Sequence, residues 1–137
     1  MRILGLDYGT ERIGMALSDE LGMIAQPVKF IRAYPLSGVW AQLRSVHRAT
    51  PYRLIIIGMP RNMNGTYGPA AAKVKHFIQH LNQEIDIPTK TWDERLSSTQ
   101  ASRVLAQTKV PKRKRKGKVD KIAAAIILQS YLDSVQL

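Results

Sequence analysis

The 137-residue sequence contains no cysteine. That excludes disulfides and any thiolate zinc site, and it fits a reducing cytoplasm. Acidic residues are scarce: ten Asp and Glu stand against 21 Lys and Arg, for a formal net charge of +11. No apolar run approaches the roughly 18 residues of a membrane span. The N-terminus lacks the charged-then-apolar layout of a secretory signal. The expectation is therefore a cytoplasmic protein with no membrane role. What the chain does have is ordinary hydrophobic content, 45% of residues. It is long enough to bury a core as one domain, residues 1–137. Its positive excess favours a polyanionic partner, and nucleic acid comes ahead of an anionic membrane surface because the excess is locally concentrated.

The first strand, Met1 to Asp7, organises the rest. Ile3, Leu4 and Leu6 form a short apolar run of the kind buried on both faces of a sheet, and it ends in a carboxylate. Ile13 to Leu17 gives a second strand across a tight turn at Gly9. Ile24 to Ile31 gives a third, with Pro27 pointing to an irregular or edge position. Pro35 opens a helix with Leu36, Trp40 and Leu43 at helical spacing. Leu54 to Ile57 is a buried β-branched strand, and a polar loop from Gly58 to Thr66 follows it. A second helix follows Pro69, carrying Val74, Phe77, Ile78 and Leu81 on one face. Ile85 to Trp92 reads as a fifth strand, and Ser97 with Gln100 as the capping box of a third helix. Lys109 to Lys118 reads as a basic interruption before a last helix near Val119. The order predicts an α/β domain with a five-stranded mixed sheet, antiparallel at the start and parallel afterwards, with helices on both faces.

With ten acids in the chain, each can be weighed. Glu11, Asp19, Glu20, Glu84, Asp86 and Asp133 fall in turns or at element ends, where a solvated charge is expected. Asp7 ends strand one, and Asp93 and Glu94 end strand five. Carboxyl ends of parallel strands gather on one edge of such a sheet, so these acids can converge. Side chains alternate along a strand, so only one of Asp93 and Glu94 is expected to reach Asp7. Asp120, in the first turn of an apolar helix, is either a third ligand or an acid that complements the helix dipole. Carboxylates so grouped suit hard divalent cations, which can activate water and relieve charge in phosphodiester hydrolysis.

The run Lys112, Arg113, Lys114, Arg115, Lys116, Gly117, Lys118 is the densest charge in the chain. A solvated loop is the plain reading. Its position just ahead of Asp120 favours a mobile loop that grips phosphates flanking a scissile bond. Arg12, Arg61 and Arg95 are further candidate phosphate contacts. His76 and His80 have ligand spacing but no evident third partner, and a solvent-facing pair is expected. The Gly58 to Thr66 loop lacks the Gly-Lys-Ser/Thr ending of a P-loop.

Taken together, four stretches resemble the motifs of the YqgF (RuvX) family, in order. They are Leu6 to Gly14, Gly58 to Thr66, Trp92 to Ser97, and Lys116 to Lys121 with the Ala123 to Leu132 helix. The resemblance implies a ribonuclease H-like fold related to RuvC resolvases. It also implies the family's assigned activities: Holliday-junction resolution and nuclease processing of the 5′ end of precursor 16S ribosomal RNA. The family's acidic positions fall on Asp7, Glu94 and Asp120, which implies a site for Mg²⁺ or Mn²⁺ there. Asn64 stands where the family's second motif usually has aspartate, and asparagine serves equally well in a turn. Two competing readings are a non-catalytic RNA-binding assembly factor and an actin-like ATPase domain. The second would need a nucleotide-binding partner domain that this chain lacks. Either a monomer or a homodimer is compatible with the sequence.

Overall fold

In the computed structural model the described residues are 1–60, 67–94 and 112–135, with side chains described for all of these except 112–121. Five strands form one sheet: β1 Arg2–Tyr8, β2 Arg12–Ser18, β3 Ala25–Arg32, β4 Tyr52–Met59 and β5 Thr89–Asp93, in the order β3-β2-β1-β4-β5. The β1–β2 and β2–β3 pairs are antiparallel, and β1–β4 and β4–β5 are parallel. The described helices are α1 Leu36–Ala49, α2 Pro69–Glu84 and α3 Lys112–Ser134.

Alternation along the central strands splits the core in two. Leu4, Leu6, Ile13, Met15, Ile55 and Ile57 face α1 and α2, packing with Val39, Trp40, Leu43, Val74, Phe77 and Leu81. Ile3, Ala16, Leu54 and Ile56 face α3, packing with Ala124, Ile127, Leu128, Tyr131 and Leu132. This is why β1 and β4 read as continuous apolar runs: both of their faces are covered.

Small residues bring α3 down onto the sheet. A Cβ on Gly5 would stand 2.8 Å from the Cβ of Leu128 and 3.2 Å from the carbonyl of Ala124. Polar ties fix the helix along its axis. Gln129 accepts from the Ala25 amide at 2.8 Å and donates to the Met23 carbonyl at 2.9 Å. The Trp92 indole donates to the Ser130 hydroxyl at 2.9 Å. Gln129 thus sits over the β2–β3 turn and Ala124 over Gly5. Helix α3 therefore runs antiparallel to β1, with its N-terminal part towards the edge where β1 ends.

Three expectations are corrected. The fifth strand starts at Thr89, not Ile85, because Ile85 caps α2 through its amide to the Leu81 carbonyl at 2.8 Å. The basic run is not a loop, because α3 begins at Lys112. Lys and Arg are strong helix formers, and a helix already anchored on the sheet extends through them at the modest cost of Gly117. With the helix starting at Lys112, Asp120 falls in its third turn rather than its first, too far in to complement the helix dipole. The capping-box helix near Ser97 lies outside the described residues. Pro27 does sit on the edge strand, opposite a register shift in β2, as its chemistry requires.

Candidate active site

Asp7 is the penultimate residue of β1, on the face covered by α3, and it is half-buried. Two strands away, Asp93 closes β5 in register with Met59, and Glu94 follows as the chain leaves the strand. There Glu94 turns inward over β4. The residue beneath it is Gly58, and a Cβ at that position would come within 2.6 Å of Glu94 Oε1. The missing side chain makes room for the glutamate to reach across and hydrogen bond with Asp7. Of the Asp93–Glu94 pair, then, Glu94 is the one that joins Asp7.

This contact has an electrostatic consequence. Burial, first, then the hydrogen bond with Asp7, and then the negative charges of Asp7 and Asp93 push the Glu94 carboxyl up to about 8. Two carboxylates this close cannot both ionise cheaply, so they share a proton. The folded state therefore holds a proton that the unfolded chain gives up near pH 4.5. The resulting stabilisation is complete below that pH and is lost as pH rises towards about 8. In metal-free buffer the melting temperature should fall across that interval, and Glu94→Gln should remove the part of the slope due to this residue. Thermal melts of both proteins at half-unit pH steps check this, and parallel curves would contradict it.

The donors present suit a hard divalent cation: paired carboxylate oxygens, over a glycine, at the carboxyl ends of the parallel strands β1 and β5. A cation placed there would relieve the repulsion that now retains a proton on the pair. Among the described residues, Asp7 and Glu94 have no third acid grouped with them as a metal-binding set. Asp120 lies in α3 one turn before Ala124, which puts its backbone at the Asp7 end of the helix. Its side chain is outside the described residues, as are those of Lys112, Arg113, Lys114, Arg115, Lys116 and Lys118, and as are Arg61, Arg95 and Asn64 altogether.

Arg12 is exposed at the start of β2, with its guanidinium 4.8 Å from the centroid of the Phe30 ring. Next to Asp7, a cavity of about 300 Å³ runs between the β1–β2 turn and Phe30. Sequence reasoning passed over Gly58 and Phe30. Gly58 had a signal, as a glycine ending a run of three isoleucines. Trp92 is structural: it bonds Ser130 and meets the Tyr131 ring edge-on at 5.6 Å. His76 and His80 stack on α2 with Nε2 atoms 3.1 Å apart, His76 facing solvent and His80 partly covered.

The chain matches the family model described as "RuvX: Holliday junction resolvase" over residues 1–134. Relatives bear the provisional name pre-16S rRNA nuclease. That of Halothermothrix orenii is 48% identical, with 97% of this chain and 95% of the relative covered. That of Desulforamulus reducens is 48% identical, with 98% of each covered. Among solved structures, the fowlpox virus resolvase bound to Holliday junction DNA superposes with a TM-score of 0.57 at 17% identity, covering all of both chains. Thermus thermophilus RuvC, also bound to a junction, gives 0.53 at 11% identity over 99% of this chain and 97% of that one. At such identities the likeness establishes the fold, which is the RuvC-like, ribonuclease H-like one.

Proposed function

Since this chain belongs to the RuvX family of Holliday junction resolvases, we propose that it is a nuclease that hydrolyses phosphodiester bonds in structured nucleic acid, with a divalent cation, Mg²⁺ or Mn²⁺, held by Asp7 and Glu94. The observation that carries this is the hydrogen-bonded contact of those two carboxyls over Gly58. The substrate is the 5′ extension of precursor 16S ribosomal RNA, branched DNA, or both. The names of the relatives support the first and the family description the second.

Hydrolysis adds water across one P–O bond and leaves a phosphate end and a hydroxyl end. A bound cation supplies charge relief on the phosphate and a nucleophilic water at neutral pH. Asp7 and Glu94 would hold it, and Glu94 would have to release its raised-pKa proton to bind. Asp120 is proposed as the third ligand, on the strength of its backbone position at the same end of the sheet. Arg12, Arg61, Arg95 and the cationic first turns of α3 are proposed to hold flanking phosphates. This excess of charge gives affinity without base selection. A single domain of residues 1–137 carries the activity in the cytoplasm. Among the described residues no helix is long and apolar enough to cross a membrane. A monomer suffices for RNA trimming, and symmetric junction cleavage calls for a two-fold dimer.

Replacing Arg113, Lys114 and Arg115 by alanine keeps α3 helical, because alanine is the best helix former. Removing one cation from a phosphate lowers the slope of log affinity against log salt by roughly 0.7 to 0.9 units. The triple variant should therefore bind more weakly, with a slope flatter by about two to three units. Titrations of both proteins with one oligonucleotide across several salt concentrations test it, and equal slopes would remove these residues from the interface.

The proposal itself is tested by incubating the protein with labelled precursor ribosomal RNA, four-way junction DNA and plain duplex, with Mg²⁺, Mn²⁺ or EDTA. Cleavage of either structured substrate only with metal is expected. Tight binding without cleavage would favour an assembly factor, and ATP turnover an actin-like domain.

A further inference from the structure

Asp7, Gly14 and Phe30 form one row across three strands. Asp7 pairs with Gly14 in the β1–β2 register, and Gly14 pairs with Phe30 in the β2–β3 register. Directly paired residues point to the same face, so all three lie on the face that carries the carboxylate centre. The middle residue has no side chain. The row is therefore a trough, with a carboxylate at one end and an aromatic ring at the other, about two strand spacings or roughly 9.5 Å apart. The cavity of about 300 Å³ beside Asp7 is this trough, and Arg12, Gly14 and Phe30 line it.

The trough's chemistry is that of a nucleotide rather than of a bare phosphate. Phe30 is only half-buried although it lies on a sheet facing a helix. The Arg12 guanidinium stands 4.8 Å from the ring centroid. Arg12 is also paired in register with Arg32, and both are exposed. Glu11 also lines the cavity. Its carboxylate repels phosphate but accepts hydrogen bonds from a base amino group.

We infer that the Asp7–Gly14–Phe30 trough is a nucleoside subsite that seats one unpaired base next to the scissile phosphate, against the Phe30 ring, with Arg12 and Arg32 on the neighbouring phosphate. This rests on the nuclease reading and extends it, because the seat takes a base out of its stack. The enzyme then selects single-stranded or splayed nucleic acid at the cut, and continuous duplex is disfavoured. Selection is by shape and stacking, since every base has a π-face.

The test is a binding cycle in the cleavage-blocked Asp7→Asn protein. The probe is a single-stranded oligonucleotide, either intact or with one abasic site walked through each position. Phe30→Ala should weaken binding of the intact strand at least about fivefold, in line with removal of one stacked base. At one abasic position the same substitution should cost nothing, because the base is already absent. Phe30→Tyr should restore binding of the intact strand. A 2-aminopurine at that position should brighten on binding to the Phe30 protein, because it leaves the stack of its neighbours, and should brighten less with Phe30→Ala. Equal losses for intact and abasic strands at every position would overturn the subsite and reduce Phe30 to a structural residue. Failure of the nuclease reading looks different: the unsubstituted protein would leave all substrates uncut with metal present, whatever the binding cycle shows.

Discussion

Asp7→Asn should lower the rate of metal-dependent cleavage by at least about a thousandfold while leaving nucleic-acid affinity within a few-fold of the parent. The substitution keeps the shape of the side chain and removes its charge. Asp7 and Glu94 are the two groups proposed to hold the cation, and losing one would forfeit several kcal/mol of charge stabilisation in the transition state. Each 1.36 kcal/mol is a factor of ten in rate. Affinity comes instead from basic side chains spread over the surface, so binding persists. The measurement pairs single-turnover cleavage with an anisotropy titration on the same oligonucleotide. Cleavage within tenfold of the parent, in preparations free of contaminating nuclease, would remove Asp7 from the chemistry.

The second large effect is expected from a residue with no functional group. Gly58→Ala places a methyl 2.6 Å from Glu94 Oε1, 2.8 Å from Glu94 Cγ and 2.7 Å from Ile127 Cδ1. These are ends of side chains, which can move, so the fold should survive with an overpacking loss of about 1 to 3 kcal/mol. The glutamate cannot keep its place over β4, however. Displacement of a catalytic group by about an ångström costs on the order of a hundredfold in rate. The variant should therefore be folded by circular dichroism, bind nucleic acid, and cleave about a hundred times more slowly. The raised titration of Glu94 should also relax towards its ordinary value. Near-normal cleavage would mean that the position of Glu94 over Gly58 is not the working one.

How far the sequence carried these conclusions varies with the residue. β1 and β4 were legible because strands covered on both faces must be apolar throughout, and α2 because Pro69 and the Val74, Phe77, Leu81 stripe mark its start and buried face. The end of α2 was less so. Ile85 and Ile87 alternate as a strand would, yet Ile85 is held by a helical bond from its amide to Leu81, a tertiary outcome that alternation cannot report. The basic run pitted charge repulsion against helix propensity, and the anchored C-terminal half of α3 decided for the helix. Alternation did say that only one of Asp93 and Glu94 could reach Asp7. Which one it was depended on the residue at which β5 ends, and element boundaries are what periodicity fixes least well. The Asp7–Gly14–Phe30 row was out of reach, since it exists only through the register of three strands.

The central claim is that Asp7 and Glu94 together hold the cation of a nuclease site. Its most direct test is the anomalous difference map of a crystal soaked in Mn²⁺. The account predicts a peak within bonding distance of carboxylate oxygens from both Asp7 and Glu94, absent from a crystal of Asp7→Asn. Peaks confined to other positions, such as the His76–His80 pair on α2, with none between Asp7 and Glu94 at saturating Mn²⁺, would contradict it.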